Sequence, residues 1–282
     1  MVASALGPVT GAARAVFEIA RGALPGNVVE HAARPVQAVP APVKPSLRLN
    51  YGHKPSTAGE RQPRPSEPYP MTDNQTRLDD ITSTALETLK AKHAVRERAI
   101  QVSREVIRGS ANAIRAIHRN ELERAKIQVL EVGLLVAETR VLLKDHPDIY
   151  FTGYTQDSQK EYAEARCVYA FIAGEDTPTP QEIGIETPSY LNGLAEAASE
   201  LRRYILDSLR RDDDSRSEEL MRLMDDVYNV LVVMDFPDAL TGGLRRTTDQ
   251  LRAVLERTRG DLTITTRQRR LERLLAEHDT NP

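Results

Sequence analysis

No proline occurs between Met71 and Pro147, and apolar residues through that stretch recur at helical rather than alternating spacing: Leu78, Ile81, Ala85, Leu89, Ile100, Val102, Val106, Ala113, Ile114 and Ile117. A proline-free run with this period favours long helices over sheet. The spacing predicts one helix over about 75–119, opened by Asp73 or Asn74 as cap, with Gly109 marking a bend, and a second over about 121–145. Asp145-His146-Pro147-Asp148 ends the second, because the residue before a proline is pushed out of helical geometry. Asp157 or Ser158 caps a third helix running to about Ala173, and Gly174–Pro180 reads as a loop. Thr187 caps a fourth, with Pro188 in its first turn, ending near Arg211. A fifth covers about 216–235 and a sixth about 244–259; Gly260-Asp261 separates that from a last helix near 265–278. Nothing suggests βαβ alternation, a phosphate-cradling glycine loop or a tandem repeat. The expected fold is an all-α antiparallel bundle of about six to seven helices over residues 71–282.

Residues 1–70 have a different texture. They hold 11 of the 17 prolines, and 8 Lys+Arg against 4 Asp+Glu. Prolines at that density break helices and ladders, and the apolar content is too sparse to offset the entropy of ordering. The segment reads as a disordered extension with room for one short helix at Ala12–Gly22. Met71-Thr72-Asp73-Asn74 also reads as an ordinary N-terminus leading into a helix, so Met71 is an alternative start that would leave residues 1–70 untranslated. No unbroken apolar stretch follows a basic start, and none approaches the ~20 residues of a membrane span. The expected compartment is the cytoplasm, which suits a chain with one cysteine.

That single cysteine excludes an intrachain disulfide and any cysteine-based zinc site. Cys167, among Ala165, Val168 and Tyr169, reads as buried and inert. A net charge of −3, resolving into 30 basic against 37 acidic residues over 71–282, excludes a protein that coats nucleic acid through bulk charge. With no Trp, 4 Phe and 9 Tyr, the composition argues against an aromatic base-stacking platform.

The acids carry more information. Glu161 and Glu164, three residues apart, share a face of the third helix, which is apolar nearly all round from Tyr162 onward. An acid in such a stretch needs a cation, a proton or a donor, and an arginine from another helix is the plain alternative to a metal. Arg166 points to a different side. On the fourth helix, Glu196 and Glu200 lie roughly opposite the apolar stripe Leu191, Leu194, Ala198, Leu201 and Ile205. Periodicity alone makes them a solvated face. Alternatively, the two helices converge as an oxygen site for Mg²⁺, able to generate hydroxide and stabilise phosphoryl displacement. Lys90, Lys92, Arg96, Arg98, Arg104, Arg108, Arg115 and Arg119 line the first helix, as a phosphate track or as a mixed-charge solvated face.

The stretches Arg96–Glu105 and Ala113–Arg119, the segment Glu161-Tyr162-Ala163-Glu164-Ala165, and Thr187-Pro188 followed by Tyr190–Leu201 resemble, in this order, the translin family, and especially its translin-associated factor X branch. Asp226-Val227-Tyr228 matches more loosely. The resemblance covers about Leu78 to Arg259. It implies a translin-like helical domain that assembles into a closed octameric shell and binds single-stranded RNA or DNA. In the factor X branch it implies an acid cluster that binds Mg²⁺ and cleaves RNA inside the shell. Carried over by position, that cluster falls on Glu161, Glu164, Glu196 and Glu200, all acidic here, as in the catalytic branch. Position 196 departs from the pattern, being Glu where the branch has Asp. The expectation is a Mg²⁺-dependent endoribonuclease acting on single-stranded RNA, assembled as a homo-oligomer. The four glutamates would hold the metal, with the base among them unassigned, and Arg96, Arg104, Arg115 and Arg119 would hold the nucleic acid. A non-catalytic nucleic-acid-binding shell, and a helical interaction protein, are the alternatives.

Overall fold

The computed structural model describes residues 73–279, with side chains to residue 276. The extension read in residues 1–70, its short helix and the alternative start lie outside the described residues. Those described form helices α1 (Asp73–His118), α2 (Leu122–Leu142), α3 (Pro147–Tyr150), α4 (Gly153–Ala173), α5 (Pro180–Ile183), α6 (Thr187–Leu209), α7 (Ser217–Val232), α8 (Asp238–Thr241) and α9 (Leu244–Asp279), with no strand among them. Six are long, and α3, α5 and α8 are single turns that periodicity does not register. The all-α expectation stands.

The described residues divide into two units: 73–92, the first part of α1, and 93 onward, a bundle with one large core. Residues 73–92 are helical and exposed almost throughout, with Thr82, Thr84 and Thr88 bonding back to carbonyls four residues earlier.

Within the bundle, α1 and α2 are joined by a tight turn in which Asn120 takes a left-handed conformation (φ 61°), which its short polar side chain tolerates. Gly109 lies inside the continuous α1 where α2 comes close: a β-carbon there would lie 2.5 Å from Val132 Cγ2 on α2. α4 is central, as its all-round apolar sequence implies, burying Tyr162, Ala163, Ala165, Cys167 and Val168 through Ile172. Its most extensive pairing is with α6, which also packs on α7 and α9.

The α4–α6 approach has a specific cause. A β-carbon at Gly193 would meet the Lys160 carbonyl at 2.5 Å, Ala163 Cβ at 2.6 Å and the Glu164 nitrogen at 3.0 Å. Only glycine lets the two backbones come this near, at the level of Glu161, Glu164 and Glu196. Asn192, beside it, donates from Nδ2 to the carbonyls of Pro188 (2.9 Å) and Thr241 (2.7 Å) and accepts from Thr247 (2.7 Å), tying α6 to α8 and α9.

Three boundaries differ from expectation. α4 starts at Gly153, ahead of Asp157 and Ser158, because Thr152 supplies the extended residue before the helix and Gln156 Nε2 anchors the added turn on the Tyr150 carbonyl (3.0 Å). α6 has Glu186 at its cap position and Thr187 already helical, with the Glu186 amide donating to Gln159 Oε1 (2.9 Å). Finally, α9 runs unbroken through Gly260-Asp261. Leu255 and Leu262, seven residues apart, are both buried on one face, and Asp261 pairs with Arg202 of α6 at 2.8 Å. That packing outweighs the ~1 kcal/mol cost of one helical glycine. No described helix is long and apolar enough to cross a membrane.

Candidate functional site

The close α4–α6 approach brings Glu161 and Glu164 of α4 up to Glu196 of α6: one carboxylate oxygen from each lies within 4.8 Å of the others. Three carboxylates gathered this tightly form a donor set of the kind that hard divalent cations take, oxygen ligands of full charge. Glu164, Glu196 and Glu200 open on a cleft of about 300 Å³, completed by Ser199 and by Thr247, Gln250 and Val254 of α9.

The four acids have different surroundings. Glu164 is the most enclosed, and makes no ion pair among the described residues. Burial first, then the neighbouring charges of Glu161, Glu196 and Glu200, push its carboxyl up to about 8. A proton therefore supplies the neutralisation that sequence reasoning asked of a cation or an arginine, and at neutral pH without metal Glu164 is largely protonated. Arg166 turns to Glu175 (3.4 Å) and to the ring of Tyr169.

Glu196 and Glu161 share a cation that the sequence reading passed over. Lys160 Nζ lies 2.8 Å from each carboxylate oxygen of Glu196 and 3.3 Å from Glu161 Oε1. Although burial opposes its charge, the two glutamates prevail, and the Lys160 ammonium is held above its ordinary range. Glu200 stands apart from the trio and is engaged from another side: His118, buried at the end of α1, meets its Oε2 at 2.7 Å through Nε2. That hydrogen bond lowers the Glu200 carboxyl. His118 Nδ1 is buried with no hydrogen-bond partner among the described residues.

Glu196 and Glu200 are therefore not a solvated face; each is half-buried and engaged. Of the two residues missed, His118 carried a signal, falling four residues after Ile114 on the buried face of α1. Lys160 carried none, since adjacency to Glu161 places it about 100° round the helix and only a long side chain brings it back. Cys167 is buried as expected, its thiol pushed up to about 12 by that burial.

The basic residues of α1 are on the surface. Arg96 pairs with Glu97 (2.8 Å), Arg98 with Glu138 (2.6 Å), and Arg115 donates to Asn112 (2.5 Å). Arg104, Arg108 and Arg119 make no ion pair among the described residues. Arg115 and Arg119 flank His118 within one helical turn, so they stand next to the residue that grips Glu200. Arg104 lies about 21 Å further up the helix and Arg96 about 33 Å, at 1.5 Å per residue.

The class defined by this geometry is an all-helical bundle carrying an acid cluster between two closely apposed helices. No family model matches the sequence. The chain is 31% identical over 176 residues to an uncharacterized protein of Methanocaldococcus jannaschii, a match covering 62% of this chain and 78% of that one. Among solved structures it is similar to AfC3PO at 30% identity. The TM-score is 0.62 against AfC3PO, covering 98% of that chain, and 0.61 against AfC3PO in complex with duplex RNA, covering 97%; each spans 67% of this chain. Apo-NeC3PO shares the fold, at 20% identity and a TM-score of 0.60, over 67% of this chain and 96% of that one. The chain belongs to the translin family, whose fold the C3PO structures carry.

Proposed function

We propose that this protein is a Mg²⁺-dependent endoribonuclease of the factor X type, acting on single-stranded RNA within a homo-oligomeric shell. The observation that supports it most is the trio Glu161, Glu164 and Glu196, converging beside a cleft of about 300 Å³ in a translin-family chain. The donor chemistry fits Mg²⁺, with Glu161, Glu164 and Glu196 as direct holders and Glu200 at the rim. A bound Mg²⁺ supplies electrostatic stabilisation of the charge that develops in phosphoryl displacement.

The chain's own residues do the rest. His118 fixes the direction of the Glu200 carboxylate, which lines the cleft and, its pKa lowered by that hydrogen bond, stays ionised at neutral pH. Glu164, by contrast, starts protonated. Arg115 and Arg119, three residues before His118 and one after it, hold the phosphate backbone, and Arg104 and Arg96 extend the track along α1. AfC3PO has been solved with duplex RNA, so the assay includes both strand forms.

The test is incubation of the purified protein with labelled single-stranded and duplex RNA, in Mg²⁺ or in EDTA. Cleavage of the single strand in Mg²⁺ alone is expected, falling by at least about 100-fold in Glu164→Ala, as for the loss of a central catalytic group. Cleavage that ignores EDTA or survives Glu164→Ala defeats the metal reading. Binding without cleavage selects the non-catalytic shell instead.

A further inference from the structure

We propose that Lys160 is a built-in counter-ion that competes with a divalent cation for Glu196 and Glu161, and so sets how tightly this site holds metal. The inference rests on the metal reading above and adds a residue to it. Lys160 sits on α4 next to Glu161, yet its side chain reaches across to α6, contacting both oxygens of Glu196 and one of Glu161. Its ammonium thus takes the gap between two of the three carboxylates that would ligate an ion.

Both cations cannot use that gap. An ammonium satisfies carboxylates at N···O distances near 2.8 Å, whereas Mg²⁺ draws the same oxygens to about 2.0–2.1 Å. Two positive charges between one pair of acids also repel. Metal entry therefore requires Lys160 to release Glu196. The lysine is equipped for that: its flexible stem and quarter-exposed side chain give it solvent to move into. Until it moves, it holds the acids together against their mutual repulsion. The cluster is thereby assembled without metal, and metal binding costs the breaking of an existing ion pair.

The experiment is Mn²⁺ binding to the full chain, read by the paramagnetic signal of free Mn²⁺, with thermal melting of the same samples followed by circular dichroism. Lys160→Gln removes the charge and Lys160→Arg keeps it. Lys160→Gln is expected to bind Mn²⁺ about tenfold tighter or more, the effect of removing one like charge from the site, with Lys160→Arg close to wild type. In EDTA Lys160→Gln is expected to melt below wild type, and Mn²⁺ to raise its melting temperature by more than it raises that of wild type. A Lys160→Gln protein folded only when Mn²⁺ is present meets the same expectation in the same melt, and one that Mn²⁺ does not recover overturns the proposal. Unchanged or weaker binding in Lys160→Gln overturns it while leaving the metal site standing, as does equal tightening in Lys160→Arg. Absence of Mn²⁺ binding in wild type and variants alike removes the metal reading itself, and the competition with it.

Discussion

Glu164 sits deepest in the acid cluster, with Lys160 occupied by its two neighbours, so its neutrality comes from a proton. That has a consequence for stability. Its folded pKa of about 8 lies above its ordinary 4.5. Below pH 4.5 the carboxyl is protonated in both folded and unfolded chains and contributes nothing to the difference. Between there and about pH 8 the unfolded chain gives up the proton while the folded one retains it, so stability falls as pH rises, with a slope of up to ~1.4 kcal/mol per pH unit. Glu200, whose folded value is lowered, contributes in the opposite sense: its stabilisation is present above its ordinary value and lost as pH falls through the folded one. The two windows are separate. In EDTA, Glu164→Gln is expected to match wild type near pH 4.5 and to exceed it increasingly toward pH 8, as read by urea denaturation midpoints. Parallel pH profiles for the two proteins would show that Glu164 is ionised throughout. At this scale the sequence carries residue type and helical face, enough to single out the glutamates. It does not carry reach, and for that reason Lys160, off the shared face by its backbone and on it by its side chain, was invisible.

At the scale of elements, two glycines inside long helices have opposite meanings. Gly193 lies where α6 touches the backbone of α4, and Gly260 lies in α9 with open space where a side chain would go. Gly193→Ala must push α4 and α6 apart directly under the acid cluster. It is expected to destabilise by about 1–3 kcal/mol or more, as overpacking does, and to weaken any Mn²⁺ binding. Gly260→Ala is expected to stabilise by about 0.5–1 kcal/mol, because alanine is the better helix former and nothing obstructs it. Denaturation midpoints of the two variants check both signs, and a stabilising Gly193→Ala would contradict the close approach. The same pair explains which elements were legible. Long helices with a sustained apolar period were readable from α1 to α7, because packing follows that period. The break expected at Gly260 was not there: Leu255 and Leu262, on either side of it, are both buried in the core, and that packing outweighs a local propensity. The single-turn helices α3, α5 and α8 each begin at or just after a proline and are too short to carry a period.

At the scale of the molecule, the charge balance and the exposed apolar residues bear on the same question. With 30 basic against 37 acidic residues over 71–282, one chain repels a polyanion on average. A binding surface must therefore concentrate the α1 arginines and turn the acids elsewhere, which closure of several copies around an interior would do. The bundle also leaves Val230, Val232, Val233, Phe236 and Leu240 exposed at the end of α7 and through α8, Val233 at 75% and Leu240 at 64%. Five large apolar side chains within eleven residues of sequence are more than scattered surface positions. A second copy is the occupant expected on them. Light scattering should give a mass several times the 31.4 kDa of one chain. Val233→Ser with Phe236→Ser should lower that mass while leaving the helical circular dichroism unchanged, since both side chains are outside the core. If assembly gathers the basic track, the same double variant should lose RNA affinity although no charge has been altered, whereas Glu164→Ala should keep the mass and the binding and lose only cleavage. A dissociated variant that binds RNA as tightly as wild type would locate recognition on the single chain, and the arginines of α1 would then have to overcome its net negative charge unaided.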